Sequence, residues 1–562
     1  MRKPKDVWEG IERGVAGSRR GLTIYEEHNV HHYYPHEVIR MAAGYARGLR
    51  KLGVRPGDRV GIIAQTTPPV AGVFLGCWAL GAVAVPLPLP MRAVDPHAFL
   101  EQSRMRLEKV GASLVAVPGE WLSLADMGAD IPSVAAEEIP DEGHFEGPPT
   151  GLEDVALVQF TSGSTSEPRG VVLTHGAIMA NARAIVRRLK AGPRDTVVSW
   201  MPLYHDMGLI GFFITALCAG CTLVLFSPQK FVSDPGFWLW TMSEHRATIT
   251  GGPNFSYALA AKAMETPRAE GLDLSTLRLA LNGAEPVDPV ALENFVRKGS
   301  EFGMRPEVPY PVYGLAEATL AVTFPKPGEV FKLDHVSREA IEMEGFAKPC
   351  REGEEGSRTL VCLGTPLDGM EVAIFKEDGT WGKEREVGEV CVRGPSLMSG
   401  YWGDPASTAE ALRGGWLHTG DLGYLARGEL YLVGRIKDMV IVGGRNLFAE
   451  DVEKCAEDVE GVRKGNAVAF GVTTRRGRER LVLVGETRLT CAERAKQVAE
   501  AVARAVREKI GVPVREVVLV PAGTLPKTSS GKKRRFLCKH LYLSDQLEAV
   551  ARSGAPITGP DA

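Results

Sequence analysis

Glu37-Val-Ile-Arg-Met-Ala-Ala-Gly-Tyr-Ala-Arg-Gly-Leu-Arg-Lys-Leu52 runs into Gly53, a turn at Pro56-Gly-Asp58 and then Arg59-Val-Gly-Ile-Ile-Ala64. Apolar residues recur at helical spacing as far as Leu52, Gly53 ends the helix, and a short strand follows the turn. The same alternation of helix and Val/Ile/Leu strand continues to about residue 330. It predicts an α/β fold of doubly wound subdomains, with ligands at the carboxyl ends of the strands. From about Leu360 the texture changes to short strands and turns, at Glu371-Val-Ala-Ile-Phe375, Gly388-Glu-Val-Cys-Val-Arg393 and Glu429-Leu-Tyr-Leu-Val433. This predicts a small β-barrel-like unit. After Gly434-Arg-Ile-Lys-Asp438 the pattern returns to mixed α+β, with a helix from Cys491 to Lys509 and a basic segment near Lys532. From Arg552 the chain reads as a disordered tail. The expected organisation is an N-terminal domain over 1–435, a smaller α+β domain over 436–545 and a tail over 546–562.

At 562 residues the chain is too long for one ordinary core. Lys+Arg 66 against Asp+Glu 69 leaves a net charge of -3, which gives no electrostatic reason for a nucleic acid or anionic membrane partner. The opening Met1-Arg-Lys-Pro-Lys-Asp6 leads into a charged segment after Trp8 rather than an apolar run, so cytoplasmic placement is expected. Nine cysteines are thinly spread, and only Cys218 and Cys221 form a C-x-x-C. Their surroundings, Leu217-Cys-Ala-Gly-Cys-Thr-Leu-Val-Leu-Phe226, are apolar, which favours buried thiols over zinc or redox chemistry.

Two uncharged stretches, Pro68 to Pro90 and Gly208 to Phe226, raise the question of a membrane helix. Each reads as an apolar helix, a small-residue break and a strand. A buried helix feeding a parallel strand explains both, so no membrane span is expected. The cluster His28-Asn-Val-His-His-Tyr-Tyr-Pro-His36 fits no standard zinc spacing and reads better as a hairpin leading into a helix.

The chemistry concentrates in Val158-Gln-Phe-Thr-Ser-Gly-Ser-Thr-Ser-Glu-Pro-Arg-Gly-Val-Val-Leu-Thr-His175. A strand opens into a hydroxyl-rich loop with a cation and a glycine, then returns as a strand. Small residues let backbone N–H groups approach phosphate oxygens, and Arg169 adds charge-assisted contacts. A polar surface turn is the bland alternative, and the Walker A pattern is absent.

Further segments decide between them. Trp200-Met-Pro-Leu-Tyr-His-Asp-Met-Gly-Leu-Ile210, Leu281-Asn-Gly-Ala-Glu-Pro286, Tyr313-Gly-Leu-Ala-Glu-Ala-Thr319, His418-Thr-Gly-Asp421, Gly434-Arg435 and Pro526-Lys-Thr-Ser-Ser-Gly-Lys532 follow in order. Together with the phosphate loop they resemble the motifs of the adenylate-forming superfamily, over roughly residues 20 to 545. The resemblance implies ATP as substrate, Mg²⁺ as cofactor and activation of a carboxylic acid as its adenylate. Thr161, Ser162, Gly163, Ser164, Thr165, Arg169 and Gly170 would hold phosphates. Gly283, Ala284, Glu285, Tyr313, Gly314 and Ala316 would line the nucleotide site. Glu317 and Thr165 would bind the metal, whose preference is for hard oxygen donors. Asp421 would take the ribose hydroxyls, with Arg435 close by. Lys532 would be the catalytic cation, and His205 would orient or gate the acid. Two departures stand out: Ser166 replaces the family's usual glycine, and Arg169 its usual lysine.

The wording of Ser199–Gly211, Gly251-Gly-Pro-Asn-Phe-Ser-Tyr257 and Tyr313–Thr319 is closest to fatty acyl-AMP ligases. So is the long connection over 336–366, which resembles the insertion of that branch. By resemblance, it would restrain a C-terminal domain that otherwise swings about Lys437 to admit coenzyme A. The implied partners are a fatty acid and a separate acyl carrier protein or polyketide/peptide synthase. Coenzyme A is the alternative acceptor, as in an acyl-CoA synthetase. A regulatory nucleotide-binding protein and an amino-acid-activating domain are weaker readings. The first is opposed by Lys532, Glu317 and Asp421 occurring together, the second by the want of an obvious acidic anchor for an ammonium group.

Overall fold

A computed structural model describes residues 4–89, 96–123, 130–143, 145–148, 150–161, 168–442, 445–473, 479–527 and 532–555. Two seven-stranded sheets organise the larger part of the chain. The first runs Gly400–Tyr401, Gly170–Thr174, Val155–Phe160, Val83–Leu87, Arg59–Ile63, Leu114–Val117 and Ser133–Ala135. Arg59–Ile63 pairs in parallel with Val83–Leu87, as the helix–strand alternation predicts. The helix between them, Pro68–Leu80, is buried on almost every side and ends at Gly81 in the left-handed region (φ 77°). An apolar surface all round is what a helix inside a two-layer core needs. Among the described residues no helix is long and apolar enough to cross a membrane.

The second sheet runs Pro309–Pro311, Leu279–Asn282, Ile249–Gly252, Thr196–Ser199, Thr222–Phe226, Leu22–Tyr25 and Val30–Tyr33. Only the last pairing is antiparallel: the histidine-rich segment forms the hairpin arm Val30–Tyr33 and leads into the helix Pro35–Lys51. His31 pairs with Glu26 at 2.7 Å and His32 with Thr23 at 3.0 Å. The uncharged segment after Asp206 is a π-helix over Met207–Ile214 that continues as the α-helix Thr215–Cys218. It feeds the parallel strand Thr222–Phe226, so the buried-helix reading holds but the wide turn was not foreseen. Burial pushes the Cys218 and Cys221 thiols up to about 12, as inert core groups.

The short strands from Glu371 onward form a five-stranded antiparallel sheet containing Glu371–Phe375, Gly388–Arg393, Leu412–Arg413, Trp416–Ala426 and Glu429–Arg435. Beyond it, Ala467–Thr473, Glu479–Thr487, Glu516–Pro521 and Ala551–Gly554 make a four-stranded sheet. Alternation divides its faces: Ala467, Ala469, Leu481 and Leu483 pack with the helices Ala449–Glu457 and Ala492–Ile510. Val468, Phe470, Val482 and Val484 pack with Cys538 and Tyr542 of the helix Arg535–Leu543. The disordered-tail expectation is corrected here. Ala551–Gly554 pairs antiparallel with Glu516–Pro521, and the Arg552 guanidinium lies 3.3 Å from the buried Glu516 carboxylate.

The connection over 336–366 folds as a strand pair, Leu333–Ser337 with Ser357–Val361, enclosing the helix Arg338–Glu344. Val336, Ile341 and Leu360 share a core with Tyr424, Val433 and Phe448.

Candidate active site

Four strands of the second sheet end beside one another, and the residues just past their ends, among them Trp200, Pro253, Ala284 and Val312, face a common cavity. Its volume is about 2930 Å³. Thr161 and Arg169 enter it from the first sheet, Asp421 and Arg435 from the antiparallel sheet, and Lys532 from the C-terminal unit. His205, Glu285, Tyr313, Gly314, Ala316 and Glu317 line it as well. The neck of the hydroxyl-rich loop is pinned, with Thr161 N–H donating to Arg169 O at 2.9 Å. Ser162, Gly163, Ser164, Thr165 and Ser166 lie outside the described residues. Gly170 begins the returning strand at the loop's exit.

Backbone geometry at the cavity wall is tight. A Cβ on Gly314 would stand 1.9 Å from Leu320 O, so no side chain fits there. One on Gly283 would meet Val312 Cγ2 at 2.8 Å. Ala284 has φ 72° and Thr319 φ 68°, a region unfavourable to both, and the buried Thr319 hydroxyl donates to Ser396 O at 2.6 Å. Strain of this kind concentrates at functional sites, where the surroundings hold it in place.

Asp421 is buried at the cavity edge. Its Oδ2 accepts the Tyr313 hydroxyl and its Oδ1 the Arg435 Nε, each at 2.7 Å. The Asp421 carboxylate raises the Arg435 pKa above its ordinary value. Burial, then the same carboxylate, keeps the Tyr313 phenol protonated well past its usual range. Behind Asp421, Glu389 Oε1 accepts Gly420 N–H at 3.0 Å while Oε2 meets His418 Nδ1 at 2.7 Å. Glu389, Cys391 and His418 are the only group of three metal-type donors among the described residues, and here they act as a hydrogen-bonded prop for the turn.

Lys532 faces three carboxylates. Burial lowers its pKa below the ordinary lysine value; Asp206 opposes that, as do Glu285 and Asp421, while Arg435 adds to it. Burial raises the Glu285 pKa, against the pull of Asn254 N–H at 2.8 Å and of Lys532. Burial also disfavours the Asp206 carboxylate, but His205, Lys532 and the Met207 N–H outweigh it and its pKa is lowered. His205 Nδ1 lies 2.7 Å from Asp206 Oδ1. The sequence reading missed Asp206; its place beside His205 was the available signal. Tyr401 was missed too, and nothing in its local sequence points to it.

Part of the cavity lining is apolar: Val197, Ile249 and Leu281 come from the sheet, and Gly211, Thr215 and Leu189 from the helices. The Thr215 hydroxyl donates to Ile210 O at 2.7 Å, so the wall presents no unmet polar demand there. A cavity lined by both apolar and charged groups suits a molecule with a hydrocarbon body and an anionic head.

Residues 27–402 match the family described as AMP-binding enzyme. The chain belongs to that family. This AMP-binding enzyme is 33% identical over 539 residues to the long-chain-fatty-acid–AMP ligase FadD26 of Mycobacterium marinum, covering 91% of each chain. It is 34% identical over 525 residues to the medium-chain-fatty-acid–[acyl-carrier-protein] ligase JamA of Moorena producens, covering 87% of each. A structure from a study of fatty acyl-adenylate ligases of E. coli and L. pneumophila superposes with TM-score 0.89 at 32% identity, over 97% of this chain and 98% of that one. An L. pneumophila fatty acyl-adenylate ligase in complex with acyl adenylate and pyrophosphate gives 0.72 at 29% identity, over 98% of both. The AMP-binding enzyme described here is therefore an adenylate-forming ligase with ATP as a substrate, and it stands with the fatty acyl-AMP ligases.

Proposed function

We propose that this ligase activates a fatty acid as its acyl-adenylate and passes the acyl group to the phosphopantetheine thiol of a separate acyl carrier protein. A carboxylate oxygen attacks the α-phosphorus of ATP, the bond to the β-phosphate oxygen breaks, and pyrophosphate leaves. The thiol sulfur then displaces AMP from the acyl carbon. Two anions meet in the first step, and Lys532 supplies the fixed positive charge that eases their approach. Asp421 retains acceptor capacity beyond Tyr313 and Arg435 and binds the ribose hydroxyls. Thr161 to Gly170 hold the phosphates, and His205 orients the acid. Gly283, Ala284, Glu285, Tyr313, Gly314 and Ala316 form the nucleotide wall.

Glu317 fits Mg²⁺: it offers hard carboxylate oxygen at the cavity wall, which Arg169 lines as well. Thr165 would complete that pair. The ion supplies charge neutralisation for the phosphates when bound. The name of the JamA relative supports a carrier protein as acceptor, and the nine free thiols suit a reducing cytoplasm.

The observation that carries the carrier reading is the contact between the 336–366 connection and the unit bearing Lys532. Arg445 donates to Glu342 Oε2 at 2.6 Å, with Glu342 almost fully buried. Arg358 lies 3.2 Å from Asp451, and its guanidinium covers the Phe448 ring at 4.8 Å. Arg338 donates to Lys509 O at 2.9 Å. These contacts oppose the rotation about Lys437 that a coenzyme A acceptor would need. Supplied with ATP, Mg²⁺ and a fatty acid, the wild type should load holo-carrier protein and make little acyl-CoA. Arg445→Ala together with Arg358→Ala should raise acyl-CoA formation at least ~10-fold, as expected when a clamp worth a few kcal/mol is released. Fast acyl-CoA formation by the wild type would favour the acyl-CoA synthetase reading instead.

A further inference from the structure

Tyr401 stands between two groups that the proposed mechanism uses. Its two-residue strand pairs with the strand leaving the phosphate loop, Tyr401 opposite Val171. The Tyr401 hydroxyl donates to Glu317 Oε1 at 2.9 Å. The Arg169 guanidinium lies over its ring, 5.1 Å from the centroid. Little about this arrangement is loose. Tyr401 is 9% exposed, its N–H donates to Thr408 Oγ1 at 2.9 Å, and the neighbouring Trp402 N–H donates to Gly170 O at 2.7 Å. Met398 N–H donates to the Glu317 carbonyl at 2.8 Å, tying the same segment to the metal-side residue.

The two contacts centre on different parts of one side chain, although the Arg169 guanidinium also reaches the phenol oxygen. A hydroxyl hydrogen bond to a charged carboxylate restricts which way the free lone pairs of Glu317 point. The ring face attracts a cation and favours a planar one, because guanidinium stacks where an ammonium cannot. That gives a physical reason for arginine rather than lysine at position 169.

We propose that Tyr401 is a positioning residue that couples the two sides of the phosphate site, its hydroxyl aiming Glu317 and its ring seating Arg169. This rests on the reading of the cavity as the Mg²⁺–ATP site, and the test separates the two. Binding of a non-hydrolysable ATP analogue to the full chain is measured by calorimetry across a Mg²⁺ titration, with pyrophosphate release followed alongside. Tyr401→Phe keeps the ring and loses the hydroxyl. It should raise the Mg²⁺ concentration for half-maximal binding about tenfold and leave metal-free nucleotide affinity within about twofold. Tyr401→Leu should also weaken metal-free affinity about fivefold, and Arg169→Lys in the wild-type background should do the same. Combined, the last two should cost no more than either alone, because each removes the same contact. An unchanged Mg²⁺ requirement in Tyr401→Phe, or penalties of Tyr401→Leu and Arg169→Lys that simply multiply, would overturn the coupling. A wild type that neither binds the analogue nor releases pyrophosphate would instead overturn the reading of the site.

Discussion

Lys532→Ala should slow acyl-adenylate formation about 100- to 1000-fold, the effect typical of removing one preorganised charge from a transition state. Transfer from supplied acyl-adenylate to a thiol acceptor should change by less than about twofold, because the two anions that need Lys532 have already reacted. A general loss of structure would depress both steps, so the split between them identifies the role. The pH profile carries the same signature. Burial holds Lys532 below the ordinary lysine value, and the protonated form is the useful one. Activity in kcat/KM should therefore fall as pH rises through that lowered value, earlier than an exposed lysine would allow. Lys532→Arg should move the fall upward, since guanidinium stays charged.

Glu453→Ala should be the most destabilising single change near the site, at about 3 kcal/mol. Glu453 is buried, and its carboxylate accepts Ala469 N–H at 2.9 Å, Lys533 Nζ at 2.8 Å and Arg535 Nη2 at 2.8 Å. Deleting it removes a shared partner from two cations in the C-terminal core, close to Lys532 in sequence. Glu457 and Asp438 remain near Lys533 and Arg535, at 3.3 Å and 2.6 Å, which holds the loss to the lower end of the usual range. Burial raises the Glu453 pKa, but Lys533 and Arg535 more than offset this and the net shift is downward. The stabilisation is therefore complete above the ordinary glutamate value and drains away as pH falls through the lowered folded one. Urea unfolding at pH 7 and pH 4 checks both size and sign. Equal midpoints for variant and wild type at pH 7 would contradict the account.

Much of the fold was legible because two signals agreed in the same segments. In Pro35–Lys51 and Arg59–Ile63, helical spacing gives way to a strand at a glycine and a Pro-Gly turn, and burial follows that pattern. The π-helix over Met207–Ile214 was not legible, because a segment buried nearly all round has no apolar stripe from which to read a period. The strand Ala551–Gly554 escaped for the opposite reason. Ala-Arg-Ser-Gly has little strand propensity, and its backbone pairing with Glu516–Pro521 is a tertiary event. The site divides in the same way. Asp421, Glu317 and Lys532 sit in ordered motifs, and all three line one cavity. Tyr401 against Arg169 is a pairing of residues far apart in the chain, which no local pattern encodes.

The most direct test of the proposed activation is a thiol-free incubation of the protein with ATP, Mg²⁺ and a saturated fatty acid, quenched and resolved by mass spectrometry. The account predicts about one equivalent of acyl-adenylate held per chain, with matching pyrophosphate and no ADP. ATP left intact across a panel of fatty acids, or its conversion to ADP and phosphate, would contradict it.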